Sequence, residues 1–241
     1  MRRIAILIIH GFAGGIYDQE DLANSLELIN KFDVYSFTLP GHDKYVLNDI
    51  TKEDWIKTAE YHVERLIKNG YKKIYIVGHS MGGVISCSLA LKYKEIKKIV
   101  LAAPAFEYLF SDHTIKGYKE SIKQGLCVLK RFNGIKEVLS RMIKVPKKTI
   151  KEFRKLVDTN QDVINKLNIP VLIIHGTNDD IVPCNSSIKI FDKIPSLSKK
   201  LLLVKNLSHR VFKDVKQNEI ISETVDFLNN KNKEMILKES I

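Results

Sequence analysis

In the run Gly78-His79-Ser80-Met81-Gly82-Gly83 a serine is flanked by glycines two positions away on either side. A serine hydroxyl attacks a carbonyl carbon only when a base takes its proton, and the base needs an acid to orient it. The chain supplies both further on and in that order. Asp179 stands in Asn178-Asp179-Asp180-Ile181-Val182-Pro183, and His209 closes Asn206-Leu207-Ser208-His209. In this scheme Ser80 attacks and His209 takes its proton and returns it to the leaving group. Asp179 fixes the imidazole tautomer and stabilises the imidazolium. Counting back from Val182-Pro183, the D-x-x-V-P spacing selects Asp179 over its neighbour Asp180.

These residues are useful only if the fold brings them together, and the hydropathy pattern says how. Ile74–Val77 is apolar and mostly β-branched, as in a buried strand, and a helix-patterned segment follows at once. A serine on so sharp a strand-to-helix turn is held in a strained conformation, and glycine on both sides removes the crowding. Ile4–Ile9 is a continuous apolar run, expected of a parallel strand buried on both faces. Val34–Leu39, Ile99–Ala103, Val171–Ile174 and Leu201–Val204 read as further strands. Helical spacing covers 19–30, the segment from a Thr51/Asp54 cap to Gly70, the stretch from the elbow to about Tyr93, 185–194 and 216–230. The tail after Asn230 reads as an extended helix or a frayed end.

Strands alternating with helices imply an α/β fold, a mostly parallel, doubly wound sheet whose ligands bind beyond the carboxyl ends of the strands. Ser80, Asp179 and His209 each follow a different predicted strand, so all three fall on that edge. Between 105 and 165 the pattern changes to helical segments near 115–131, 135–144 and 147–158, broken by Asn133-Gly134 and Pro146. This reads as a helical cap, or lid, inserted into a core made of 1–104 and 166–241.

Negative charge developing on the carbonyl oxygen needs donors in place. The backbone N–H of Met81, next to the nucleophile, is one, and that of Phe12, in the turn after the first strand, is the other. The Phe12 side chain either lines an acyl pocket or belongs to the core. Phe106, with Tyr108, Leu109 and Phe110 at the start of the cap, either forms an apolar acyl wall or packs the cap itself. His79, His10, His42 and His175 also close strands and read as pocket-lining or turn residues. Cys87, among Gly83, Ser86 and Ala90, reads as close helix–sheet packing.

The chain of 241 residues, 44% hydrophobic and 28% charged, suits one soluble domain with a sizeable core. No apolar run approaches the roughly 20 residues of a membrane-spanning helix. Met1-Arg2-Arg3 before Ile4–Ile9 imitates a secretion signal, but the apolar part is too short and runs into His10-Gly11. Cys87, Cys127 and Cys184 lack metal or disulfide spacing, which fits reduced thiols in the cytoplasm. The net charge of +11 is largely lysine, and 105–165 alone carry 13 Lys and Arg against 7 Asp and Glu. The lysines are scattered through helical patterning with no nucleic-acid motif, so a solvated basic face is expected rather than a nucleic-acid partner. Contact with anionic membranes through the basic cap is a weaker reading of the same charge.

Taken together, His10-Gly11-Phe12, Leu39-Pro40-Gly41-His42, Gly78-x-Ser80-x-Gly82, Asp179-x-x-Val182-Pro183 and Ser208-His209 resemble the α/β-hydrolase superfamily. Within it the compact helical insertion is similar to the bacterial carboxylesterase and monoacylglycerol lipase group. The resemblance runs from about Ile4 to Leu228, and departs at Asp43, where such enzymes often carry another glycine. It implies a serine hydrolase acting through an acyl-enzyme on short or medium acyl esters, with no metal or organic cofactor. The same triad serves thioesterases, amidases and peptidases, and the scaffold also serves binding proteins that have lost turnover.

Overall fold

The computed structural model describes residues 3–42, 50–107, 146–230 and 235–241. Seven strands form one parallel sheet: β1 (Ile4–Ile9), β2 (Phe32–Phe37), β3 (Ile74–His79), β4 (Ile96–Ala102), β5 (Val171–Gly176), β6 (Ser198–Val204) and β7 (Met235–Ser240). Their order is β2-β1-β3-β4-β5-β6-β7, and every neighbouring pair is parallel. The order reverses at β1, so the chain leaves β1 toward one edge and returns to build the other on its far side. A crevice therefore opens between the carboxyl ends of β1 and β3.

The apolar runs are long because both faces of the sheet are covered. Ala5, Leu7 and Ile9 of β1 point into one core, and Ile6 and Ile8 into the other. The first core is closed by α2 (Lys52–Lys68), α3 (Met81–Lys92), α4 (Lys147–Thr159) and α5 (Cys184–Lys193). The second is closed by α1 (Glu20–Glu27) and α6 (Gln217–Asn229). Trp55, Ala59, Val63 and Leu66 form the buried stripe of α2, at the spacing the sequence predicts. Thr51 caps that helix: its Oγ1 accepts from the Asp54 amide at 3.3 Å, and Asp54 Oδ2 accepts from the Thr51 amide at 2.8 Å.

The predicted elements that fall on described residues from β1 to α6 are present, several with ends moved by a few residues. The tail is different. Met235–Ser240 is neither helical nor frayed but pairs along β6 as an edge strand, from Met235 beside Ser198 to Ser240 beside Leu203. An edge strand can be polar because its main chain supplies the pairing, and Lys200 bonds Glu239 Oε2 across the pair at 2.7 Å. The predicted helices near 115–131 and 135–144, with Cys127, Asp43 and the 108–110 aromatic cluster, lie outside the described residues. The predicted helix near 147–158 is present as α4. Cys87 and Cys184 are free thiols. Among the described residues no helix is long and apolar enough to cross a membrane.

Candidate active site

Ser80 sits between β3 and α3 with φ 52° and ψ −115°, a backbone conformation that side chains with a Cβ rarely adopt. The turn is as tight as its glycines suggested. A Cβ on Gly82 would lie 2.2 Å from the Ile9 carbonyl oxygen, and one on Gly78 would lie 2.3 Å from Ser86 Oγ. Glycine thus lets α3 start directly against the end of β1, and this contact holds Ser80 at the crevice. The Ser80 amide extends the sheet by donating to the Ala102 carbonyl at 2.8 Å.

Asp179 and His209 come from the loops after β5 and β6. Asp179 Oδ2 accepts from His209 Nδ1 at 2.7 Å and from His175 Nε2 at 3.0 Å. Its Oδ1 accepts the Ile181 and Val182 amides, each at 2.9 Å. Burial alone would raise the pKa of this carboxyl. The His209 charge and the hydrogen bonds from His175 and His209 reverse that and hold it well below the usual carboxylate range. The carboxylate that bonds His209 is therefore Asp179, as its spacing from Val182-Pro183 predicts. Asp180 is pushed up, first by burial and then by the Asp179 charge.

For His209 burial works against protonation, but Asp179, then Asp180 and Asp18, more than offset it and raise the pKa above the ordinary histidine value. With Nδ1–H committed to Asp179, Nε2 is the ring nitrogen left for other work. The loop that carries this ring is tied down: Asp214 Oδ2 accepts from the Ser208 hydroxyl at 2.7 Å and from its amide at 3.1 Å.

The four histidines predicted at strand ends make defined contacts. His79 Nε2 donates to the His209 carbonyl at 2.9 Å, and its pKa is pushed down to about 3 by burial and then by His209. His10 donates from Nδ1 to the Gly11 carbonyl at 2.8 Å and accepts the Leu39 amide on Nε2 at 2.9 Å. It thereby joins the loops after β1 and β2. Burial, then His42, lowers its pKa to about 4. His42 Nδ1 donates to the Pro40 carbonyl at 3.0 Å, and its ring packs edge-on against His10, Phe12 and Trp55. His175 is fully buried, with Ser187 Oγ donating to its Nδ1 at 2.6 Å while Nε2–H faces the Val182 carbonyl and Asp179. Of these four, His79 also lines the cavity, and the others make their contacts behind its wall.

Ser80, His209, His79 and Phe12 line one cavity of about 110 Å³ whose wall is mostly apolar, with Ile181, Val182, Val211 and Phe212 among its residues. Ile150, Phe153 and Arg154, on one face of α4, form another side. Phe153 stacks on Phe12 with ring centroids 4.9 Å apart. Phe12 thus both lines the cavity and packs, the two roles its position left open. Among the described residues neither the Phe12 nor the Met81 amide has an acceptor. Phe106 does not line this cavity. It is buried in the sheet core, and its carbonyl accepts from Gln161 Nε2 at 2.8 Å. It follows the sharp turn at Ala103, where φ is 44°, and this turns the chain back onto the core.

The sequence reads His175 as a pocket-lining or turn residue at a strand end but does not pair it with Asp179, whose carboxylate it touches. Phe153, which covers Phe12, and Arg154, which brings a cation to the wall, were missed. Both carried a signal, the i, i+3, i+4 spacing of Ile150, Phe153 and Arg154, which places all three on one helix face. Among the described residues no group of His, Cys, Asp and Glu is arranged to hold a metal ion.

Comparison with known proteins agrees with the fold. Residues 4–126 match the model of the alpha/beta hydrolase fold family, and residues 136–216 match that of the serine aminopeptidase S33 family. A thermostable monoacylglycerol lipase of Bacillus sp. (strain H-257) is 24% identical over 235 residues, covering 93% of this chain and 90% of the relative. A carboxylesterase of Bacillus subtilis (strain 168) is 25% identical over 236 residues, covering 93% of this chain and 92% of the relative. Among solved structures, the Paleococcus ferrophilus monoacylglycerol lipase superposes with a TM-score of 0.72 at 20% identity over 93% of each chain. With the elbow, the parallel sheet and a family model spanning more than half of its length, the chain belongs to the alpha/beta hydrolase fold family.

Proposed function

We propose that this protein is a serine hydrolase that cleaves carboxylic esters of short or medium acyl chains, monoacylglycerols among them. Ser80 Oγ attacks the ester carbonyl as His209 Nε2 removes its proton. The Phe12 and Met81 amides stabilise the oxyanion, and the C–O bond to the alcohol breaks as His209 returns the proton. Water activated by the same imidazole then attacks the acyl carbon, and Ser80 leaves with the proton. Asp179 keeps the proton of the resting imidazole on Nδ1, so that Nε2 faces the serine. Segment 105–165 acts as a cap over the mouth, with α4 as its inner wall.

The observation that carries this reading is the 2.7 Å bond from His209 Nδ1 to Asp179, with His209 sharing one apolar cavity with a serine on a strained elbow. The esterase and lipase relatives support ester over amide substrates. The match of 136–216 to the serine aminopeptidase model is the reason to include amides in the test.

The test is labelling of the full chain with a fluorophosphonate probe, followed by turnover of p-nitrophenyl esters from acetate to palmitate, a thioester and an aminoacyl anilide. Labelling that disappears in Ser80→Ala, with a rate maximum among the shorter esters, is the expected result. Ser80→Ala should lower kcat by roughly 10⁶-fold. Labelling that survives this substitution removes Ser80 from the scheme, and a preference for the anilide replaces the esterase reading with a peptidase.

A further inference from the structure

Arg154 faces the same cavity as Ser80 and His209, yet its charge is unanswered. The residue is half-buried on the inner face of α4, and its Nε is sealed from solvent without a hydrogen-bond acceptor. No ion pair joins it to a carboxylate among the described residues. Other charged side chains of the neighbourhood are engaged. Lys213 pairs with Asp21 at 2.9 Å, Lys155 with Glu152 at 2.6 Å, and Asp18 accepts the Gly15 amide at 3.0 Å. A guanidinium is always charged, and its planar fork matches a carboxylate or phosphate. In a mostly apolar wall, beside Phe12, Ile150 and Phe153 and with Asp18, Arg210 and Lys213 as its other charged members, a buried Nε without an acceptor is costly to hold unless something that enters the cavity pairs with it.

We infer that the substrate is an ester that also carries an anionic group, a carboxylate or a phosphate, and that Arg154 binds this anion while Ser80 attacks the ester. The inference rests on the serine hydrolase reading and narrows its substrate class to anionic esters, which makes neutral monoacylglycerols the poorer substrates. An ester without the anion leaves the guanidinium unpaired inside the cavity, so a site of this kind discriminates strongly against it. The anion belongs either to the acyl half or to the alcohol half of the ester, and the two are separable by experiment.

The test compares kcat/KM for two matched pairs of esters on the full chain. In the acyl arm, mono-p-nitrophenyl glutarate is set against p-nitrophenyl valerate. In the alcohol arm, 3-carboxyphenyl butyrate is set against 3-carbamoylphenyl butyrate. The expected result is a preference of roughly tenfold or more for the anionic member in one arm, set mainly by KM. In Arg154→Gln the preference in that arm should disappear, and in Arg154→Lys part of it should remain, because charge is kept and the fork is lost. Circular dichroism and thermal melting of both variants establish that they fold. If Arg154→Gln does not fold, the wild-type ratio and Arg154→Lys still decide. Wild-type indifference to the anion in both arms overturns the inference, as does a preference that persists in Arg154→Gln or is undiminished in Arg154→Lys. A wild-type chain that neither labels with fluorophosphonate nor turns over either neutral ester overturns the hydrolase reading instead.

Discussion

The ring of His79 holds the main chain of His209: its Nε2 donates to the His209 carbonyl at 2.9 Å, and the two ring centroids are 4.9 Å apart. The residue before the serine thus fixes the height of the residue proposed as the base, so both ends of the intended proton transfer are set from one turn. His79→Ala removes the tie and leaves Asp179 and Ser80 in place. The expected consequence is a loss of about 10²-fold in kcat with KM little changed, because a base displaced by about 1 Å costs that much. His79→Gln, which keeps a donor, should recover part of the loss. Steady-state kinetics on p-nitrophenyl butyrate reads both, and a loss confined to KM would reassign His79 to substrate binding.

Asp179→Asn separates orientation from charge. The amide oxygen can still accept the Ile181 and Val182 amides that Oδ1 now holds, so the loop should keep its shape. The side-chain nitrogen then faces His209 and favours the tautomer with Nε2 protonated, which cannot take the serine proton. A loss of about 10⁴-fold in kcat is expected by analogy with other triads. Asp180→Asn, which breaks no hydrogen bond to His209, should retain most of the activity. Equal losses in the two variants would mean that the loop, not the tautomer, is being measured.

The pH profile follows from the same pair. His209, the proposed base, can take a proton only when neutral, and its pKa is raised above the ordinary value near 6.5. The acid limb of kcat/KM should therefore have its midpoint above 6.5, with activity lost as pH falls through it. The charge of Asp180 contributes to the raised value, so Asp180→Asn should move the midpoint to lower pH. Rate measurements from pH 5 to 9 test the sign; a limb below the ordinary histidine value would show that Asp179 is not ionised beside the ring.

Stability should depend on pH with a sign set by the two buried neutral histidines. His10 and His79 titrate near 4 and near 3 when folded, against 6.5 in the unfolded chain. Groups with lowered folded pKa contribute stability above the unfolded value, and it is lost as pH falls toward the folded one. The melting temperature should therefore decline from about pH 6.5 downward, well before ordinary carboxylates protonate. Thermal melts at constant ionic strength check this, and a flat response between pH 6.5 and 4.5 would exclude buried neutral rings.

Much of this was legible in the sequence because the sheet is covered on both faces. Runs such as Ile4–Ile9 and Val171–Ile174 have no exposed side and so lack alternation, which marks parallel strands. The elbow was legible because two backbone approaches leave room only for hydrogen. Other features had no local signature. Lys98 looks like a surface lysine, yet it is buried, with Nζ donating to the Phe227 and Asn230 carbonyls at 2.8 and 2.7 Å at the end of α6. Lys199 does the same for α5 through the Phe191 and Ile194 carbonyls. The charge pattern of Met235–Ser240 gave no hint of a strand, since its pairing comes from the main chain. The pairing of His175 with Asp179 escaped because it is fixed only when the β5 loop folds back on the strand.

The elbow itself makes the last prediction, which concerns the cost of function to the fold. Ser80 at φ 52° stores backbone strain of the order of 1–3 kcal/mol, and glycine at this place would release part of it. Ser80→Gly should therefore raise stability by about 1 kcal/mol while abolishing turnover. Gly82→Ala should do the opposite, because its methyl group meets the Ile9 and His10 carbonyl oxygens at 2.2 and 2.7 Å, and neither belongs to a side chain that can turn away. The expected penalty is about 3 kcal/mol or more, the upper range for an overpacked core. Urea unfolding of the two variants measures both. If Ser80→Gly is less stable than the native chain, the serine backbone is not strained, and the elbow is held by contacts other than the packing of α3 on β1.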